Sequence, residues 1–286
     1  MSNNKYAEPS DAIDRYAVVG NPIAHSKSPF IHEAFAKQTQ QNMSYERILA
    51  PLDGFITTVQ DLIAKGFKGV NVTVPFKFEA YTLADECSSR ALSAGAANTL
   101  LFKGQHIAAD NTDGAGLVRD IEKNLALPLS GKRVLLLGAG GAAEGVLLPI
   151  LAANPASLVI ANRTSDKAVA MATKALQLSI GASANKVAGC AFSDLQAQQF
   201  DVVINATSAG LTDTALPIPN TVFAGGCLAY DMMYGRETPF MVQARANGAR
   251  VADGLGMLVE QAAEAFYLWR GVRPETQSVI KGIRAS

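Results

Sequence analysis

The segment Gly69-Val70-Asn71-Val72-Thr73-Val74-Pro75-Phe76-Lys77 concentrates chemistry in nine consecutive positions. Read as a strand, it turns Val70, Val72 and Val74 to one face and Asn71 and Thr73 to the other. A polar row in a buried sheet is costly unless it meets a ligand or solvent. Pro75 ends the ladder, and Lys77 falls just past the strand's C-terminal end, where open α/β sheets hold ligands. The plain alternative is an edge strand with one wet face and a surface lysine. Three other segments place polar groups comparably. Asn21-Pro22-Ile23-Ala24-His25-Ser26-Lys27-Ser28-Pro29 follows the first strand and ends at a helix start, where hydroxyls and free N–H groups suit a carboxylate. Gly95-Ala96-Ala97-Asn98-Thr99 is a small-residue turn presenting Asn98, and Asp110-Asn111-Thr112-Asp113-Gly114 follows another strand. Hydroxyls, amides, one lysine and one aspartate suit a small, oxygen-rich acid. An apolar ligand would not need them.

A second constellation concerns a phosphorylated carrier. Gly138-Ala139-Gly140-Gly141-Ala142-Ala143 lies between an expected strand and an expected helix, with the G-x-G-x-x-G/A spacing of a dinucleotide site. Gly138 and Gly140 let the turn tighten and the backbone approach a pyrophosphate, Ala143 lets helix and strand pack closely, and the helix N-terminus offers N–H groups to the anion. About 20 residues on, where NAD enzymes place an acid for the ribose 2′-hydroxyl, the chain has Asn162-Arg163-Thr164 with Lys167 beyond. A carboxylate would repel a 2′-phosphate, whereas Arg163 pairs with it and stacks on adenine, and Lys167 adds a second charge. The pattern favours NADP over NAD. Asn162 and Thr164 also suit helix capping, and a glycine-rich turn without a ligand is the bland alternative.

The elements that must carry these groups alternate as βα units, the signature of a mostly parallel sheet. Strands are expected at 16–19, 44–49, 69–74, 134–137, 157–161, 201–204 and 228–230, with a hairpin at 100–109 that makes the first sheet mixed. Helices are expected at 28–37, with Ser28 as N-cap and Pro29 first, and at 55–65, 114–124, 141–151, 165–176 and 255–269. Helical spacing puts Gln261 on one face with Met257, Ala265 and Leu268, where an amide is either satisfied by backbone or reaching a ligand. The break near 113–132 marks a domain boundary.

Composition excludes several classes. The 286 residues carry 25 Lys+Arg against 25 Asp+Glu, so no basic surplus speaks for nucleic acid. Only 17% are charged and 49% hydrophobic, ample for a core. The polar Met1–Asp14 segment has no apolar stretch of a signal peptide, and no run reaches the ~20 residues of a bilayer crossing. Three scattered cysteines, Cys87, Cys190 and Cys227, read as small buried residues of a reducing compartment, and three histidines are thin material for a metal site. These features predict a cytoplasmic protein with a small-molecule substrate, no membrane, no nucleic acid and no metal.

Taken together and in order, the motifs resemble the shikimate dehydrogenase family over nearly the whole chain. Gly20-Asn21-Pro22-Ile23 with Ser26-x-Ser28-Pro29, Asn71-Val72-Thr73-x-Pro75-x-Lys77, Asn98-Thr99, Asn111-Thr112-Asp113, Asn162-Arg163-Thr164, Asn205-Ala206-Thr207, Tyr230-Asp231-Met232-x-Tyr234 and the run Asp253 to Gln261 carry the likeness. It departs slightly at Glu33, Ala109 and Lys167, where the family often has Asn, Gly and Arg. The resemblance implies an α/β fold of two domains: an N-terminal mixed, mostly parallel substrate domain (1–113, joined by C-terminal helices 255–286) and a Rossmann dinucleotide-binding domain (114–254), with substrate in the cleft between them. It implies NADP-dependent, reversible reduction of 3-dehydroshikimate to shikimate in aromatic amino-acid biosynthesis. Ser26 and Ser28 would hold the substrate carboxylate with Tyr234 close by, Thr73, Asn98 and Gln261 would bind ring hydroxyls, and Asn71 would line the pocket. Lys77 and Asp113 would be the catalytic pair, with Lys77 the acid/base and Asp113 orienting it. Gly138, Ala139, Gly140, Gly141, Ala142, Asn162, Arg163, Thr164, Lys167, Thr207, Gly254 and Met257 would hold the cofactor. A lysine ammonium beside a carboxylate can protonate and stabilise a developing alkoxide. No histidine lies in a motif placed to do so, and His25 reads as structural. The rival readings are a quinate/shikimate dehydrogenase with relaxed NAD/NADP use, a non-catalytic Rossmann metabolite sensor and a folate-linked dehydrogenase. Monomer and homodimer stay open.

Overall fold

The computed structural model describes residues 13–178, 187–211 and 214–285, so most of the polar segment Met1–Asp14 lies outside them. Two six-stranded sheets follow one another along the chain. The first contains β1 (Asp14–Gly20), β2 (Met43–Leu49), β3 (Gly69–Val72), β4 (Glu86–Cys87), β5 (Thr99–Lys103) and β6 (His106–Asp110), in the order β2-β1-β3-β5-β6-β4. It is mixed: β5 runs antiparallel to both β3 and β6, and the remaining pairs are parallel. Its helices are α1 (Ser28–Thr39), α2 (Phe55–Ala64), α3 (Lys77–Leu83) and α4 (Ser89–Ala94).

The chain crosses to the second sheet through α5 (Asp113–Arg119) and a π-helical turn at Asp120–Asn124. This sheet is wholly parallel, ordered β12-β11-β10-β7-β8-β9. Its strands are β7 (Arg133–Leu137), β8 (Ser157–Asn162), β9 (Val187–Ala191), β10 (Phe200–Asn205), β11 (Phe223–Asp231) and β12 (Arg250–Ala252). The helices are α6 (Gly141–Ala152), α7 (Ser165–Leu178) and α8 (Pro239–Ala246), and α9 (Leu255–Arg270) and α10 (Gln277–Ala285) close the chain. The run Val134-Leu135-Leu136-Leu137 in β7 shows why this sheet is covered on both sides. Val134 and Leu136 join one apolar cluster with Val146, Leu147 and Ile150 of α6, while Leu135 and Leu137 join another with Phe240 and Met241 of α8. Helix α9 returns to the first lobe, packing Val259, Ala263 and Phe266 against Ile31 and Phe35 of α1.

Several expectations need correction. Strand β3 stops at Val72, two residues early: the Thr73 N–H makes a last bond to the Val19 carbonyl of β1, and the Phe76 N–H then closes a turn on the Thr73 carbonyl. Val74 is consequently 65% exposed and does not share a buried face with Val70 and Val72. Ser28 is the first helical residue of α1, not its cap: Lys27 holds the cap position and no side chain caps the helix, which leaves the Ser28 hydroxyl free of that duty. The short α3, α4 and α8 and the strands β4, β9 and β12 are additional to the expected elements, whereas α10 falls within the C-terminal helices expected over 255–286.

Candidate active site

Two large cavities open between the elements. One, of about 580 Å³, is lined by Arg90, Arg119, Glu122, Lys123, Glu264 and Arg273 over an apolar floor that includes Leu148 and Pro149. Its charges are largely spent on each other: Arg90 and Arg273 both pair with Glu264, and Arg119 with Glu260. The other, of about 530 Å³, gathers Ser26, Ser28, Asn71, Thr73, Lys77, Asn98, Asp113, Tyr234 and Gln261 from both lobes. Convergent polar groups distinguish it as the candidate site.

At its centre the Lys77 Nζ lies 2.6 Å from the Asp113 Oδ2, each residue being the first of its helix, α3 and α5. The side chains are 33% and 17% exposed, open enough to meet a ligand and sheltered enough to hold their geometry. Asn98 fixes the other carboxylate oxygen, its Nδ2 donating to Asp113 Oδ1 at 2.8 Å. The Asn98 Oδ1 accepts from the Thr112 N–H and from the Thr99 hydroxyl, both at 2.9 Å. Gln261 joins this network: its Oε1 accepts from Asn98 Nδ2 at 3.2 Å while its Nε2 donates to the Leu258 carbonyl at 2.9 Å. The amide is thus satisfied by backbone on its N–H side, while its oxygen faces Asn98 at the cavity.

The rim is built by loops. The Ser28 N–H donates to the Ser26 Oγ at 3.3 Å, and the Arg47 guanidinium donates twice to the Ser26 carbonyl, at 3.0 and 2.6 Å. Asn71 is 5% exposed, and Thr73 lines the same wall. Tyr234, 38% exposed, stands opposite, its phenol raised above the ordinary pKa by burial. His25 also lines the cavity. Met232, Met233 and Leu258 supply apolar walls, a part that the motifs containing Met232 and Leu258 did not assign to them.

The glycine turn lies at the start of α6. Gly138 adopts φ +106°, and a Cβ there would sit 3.1 Å from the Ala206 carbonyl oxygen and 3.2 Å from the Thr207 methyl, so glycine is required. Added Cβ atoms on Gly140 and Gly141 would meet nothing within 4 Å, and no side chain caps the helix. Ala139 and Ala142 stand at the same partly open edge. Thr207 donates its hydroxyl to the Asn205 Oδ1 at 2.7 Å beside the turn. At the end of β8, Asn162 donates to the Thr164 carbonyl at 3.0 Å, while Arg163 and Lys167 are exposed and have no carboxylate partner among the described residues. A dinucleotide phosphate fits this cradle: open backbone, an uncapped helix start and two unspent cations. Gly254 and Met257 stand apart from the turn, lining the cavity with the substrate-side residues. Helix α6 ties the two regions together, since a Cβ on Gly145 would lie 3.7 Å from Asp113 Oδ2.

Comparison with known proteins agrees with this arrangement. Residues 18–100 match the model of the shikimate dehydrogenase substrate binding domain, 120–212 that of shikimate / quinate 5-dehydrogenase, and 254–281 that of the shikimate 5′-dehydrogenase C-terminal domain. The chain is 62% identical to a shikimate dehydrogenase (NADP(+)) of Methylobacillus flagellatus over 277 residues, covering 96% of this chain and all of that one. The chain belongs to the shikimate dehydrogenase family. Among solved structures, an Ael1 enzyme from Pseudomonas putida is 50% identical with a TM-score of 0.89, over 94% of this chain and 97% of that one. Shikimate 5-dehydrogenase from Thermus thermophilus, in complex with NADP(H) and shikimate, is 31% identical with a TM-score of 0.82, over 96% and 99%. Among the described residues no helix is long and apolar enough to cross a membrane, and no group of His, Cys, Asp and Glu is placed to hold a metal.

Proposed function

We infer that this protein is an NADP-dependent shikimate dehydrogenase, catalysing the reversible reduction of 3-dehydroshikimate to shikimate in aromatic amino-acid biosynthesis. The observation that carries the reading is the Lys77–Asp113 pair at 2.6 Å, set in a polar cavity next to the helix that begins at the glycine turn. The bound dinucleotide supplies a hydride to the substrate carbonyl carbon, or accepts one in reverse. In the reductive direction the Lys77 ammonium gives a proton to the oxygen as it becomes an alkoxide, and its charge stabilises the oxyanion before the proton moves. In the oxidative direction the neutral amine takes the hydroxyl proton. Asp113, gripped by Asn98, holds the Lys77 head in place.

Ser26 and Ser28 hold the substrate carboxylate beside Tyr234, and Thr73, Asn98 and Gln261 take ring hydroxyls, with Asn71 on the wall. The glycine turn cradles the pyrophosphate, with Thr207 beside it. Arg163 and Lys167 take the 2′-phosphate, between Asn162 and Thr164. Gly254 and Met257 lie where the nicotinamide end enters the cavity, which explains their separation from the turn. This assignment divides the chain into a substrate domain (1–113 with 255–286) and an NADP domain (114–254). It goes with a cytoplasmic enzyme, monomer or homodimer, and the free thiols of Cys87, Cys190 and Cys227 support a reducing compartment. Mixing purified protein with shikimate and NADP should raise absorbance at the NADPH band, and NAD at equal concentration should give a much slower rise. No rise with either carrier would remove the assignment.

A further inference from the structure

Strand β2 contributes a residue that no motif singled out. The Tyr45 hydroxyl donates to the Asn71 Oδ1 at 2.7 Å, and the Asn71 Nδ2 donates to the Asn98 carbonyl at 3.2 Å and to the Thr99 Oγ1 at 3.1 Å. Thr99 spends its own proton on Asn98 Oδ1, so it can only accept from Asn71. Both N–H groups of Asn71 are thereby consumed, and the one capacity left to this cavity-lining amide is a lone pair of Oδ1. It can accept from a ligand hydroxyl and can donate to nothing.

The phenol is itself held firmly. The His32 ring stacks on Tyr45 with centroids 4.1 Å apart and planes 6° from parallel. Phe35, Phe266 and Trp269 close around His32. His32 is fully buried among these rings, so its face acts as a flat plate behind the phenol. Burial keeps the Tyr45 phenol well above its ordinary pKa, with Ser28 close enough to offset part of that rise. The hydroxyl thus stays protonated as the donor to the strand amide.

We propose that Tyr45 is a positioning residue for substrate: its hydroxyl pins the Asn71 amide against the wall as an acceptor, so that the pocket selects a ring hydroxyl there. This rests on the shikimate reading of the same cavity. The loss of one buried neutral hydrogen bond is worth roughly a tenfold change in an equilibrium at most.

The test is a double-mutant cycle with Tyr45→Phe and Asn71→Ala, read as KM for shikimate, KM for NADP, kcat and melting temperature. Tyr45→Phe should raise the KM for shikimate three- to tenfold, with a smaller fall in kcat and an unchanged KM for NADP. In the Asn71→Ala background the same change should have no further effect on KM. An unchanged KM in Tyr45→Phe overturns the proposal, as does an equal rise in both backgrounds. Should Asn71→Ala fail to fold, Asn71→Ser replaces it in the cycle, keeping an acceptor while removing the amide. Turnover of shikimate by the unaltered enzyme is the control that separates failure of this proposal from failure of the functional reading.

Discussion

At the scale of single residues, the centre of the site works by committing its polar groups to one another before substrate arrives. Asn98 illustrates this: its carbonyl oxygen and its amide nitrogen are engaged by Thr99, Thr112, Asp113 and Gln261. Groups held this way need no reorganisation when charge develops on the substrate oxygen. Lys77 is the exception in having a single partner, Asp113, and a third of its side chain open. A proton donor needs that freedom, because its ammonium must face the reacting oxygen. Lys77→Ala should therefore lower kcat about 10²- to 10⁴-fold while KM for shikimate moves little. Steady-state kinetics in both directions check it, and an unchanged kcat would take Lys77 out of the chemistry.

At the scale of elements, the pocket depends on how closely helices approach. Helix α9 crosses α5 at Gly116, where a Cβ would lie 2.7 Å from the Gln261 nitrogen and 2.8 Å from the Met257 carbonyl oxygen. Both are backbone atoms of a packed helix, so Gly116→Ala must push α9 aside. We expect a loss of about 1–3 kcal/mol in urea unfolding, typical of overpacking, together with a raised KM for shikimate because Gln261 moves. Normal stability and KM would show that the crossing tolerates the methyl. Helix α1 carries a second element-scale consequence through His32, whose burial lowers its pKa to about 3. In the unfolded chain the same group titrates near 6.5. Below that pH the unfolded state binds the extra proton, so this contribution to stability is complete above about 6.5 and is lost as pH falls toward 3. Between pH 7.5 and 5 the loss is about 2 kcal/mol. His32→Phe should flatten the acid limb of a stability–pH curve by that amount, and an identical slope would contradict it. The sequence made these elements legible to different degrees. The strands of the second sheet stood out because both their faces are apolar, and the glycine turn and Asp113 stood out because such chemistry needs those residue types at fixed spacing. The short α3 and α4 have no room for a helical stripe, and β3 ended early because a turn closes on the Thr73 carbonyl. Tyr45 was invisible for another reason: β2 is an edge strand of ordinary alternation, and only the tertiary stack on His32 brings its hydroxyl to Asn71.

At the scale of the molecule, one cavity takes its walls from both lobes, and the contacts between them are of several kinds. Helix α9 packs on α1 within the first lobe and also approaches the second closely: a Cβ on Gly256 would meet the Asp120 carboxylate at 2.0 Å. Asp120 in turn accepts from the buried Tyr230 hydroxyl at 2.7 Å, which also receives the Met257 N–H at 3.2 Å. On another side α4 lies packed against α6, and a polar bridge adds to that contact. Lys174 of α7 donates to the Ser93 carbonyl of α4 at 2.5 Å and to Glu144 of α6 at 2.8 Å. Its side chain is 39% exposed, so solvent screens the pair and its worth to overall stability is small. A weak bond placed between lobes affects their relative population more than their folding. Lys174→Met should leave the melting temperature nearly unchanged yet raise KM for both shikimate and NADP severalfold, with a larger radius of gyration in solution scattering of the ligand-free enzyme. The difference from wild type should shrink at high salt, where the unaltered bridge is itself screened. If instead the variant melts early with normal KM values, Lys174 is a local prop of α7 and the lobes are held by the packing of α9, α5 and α6.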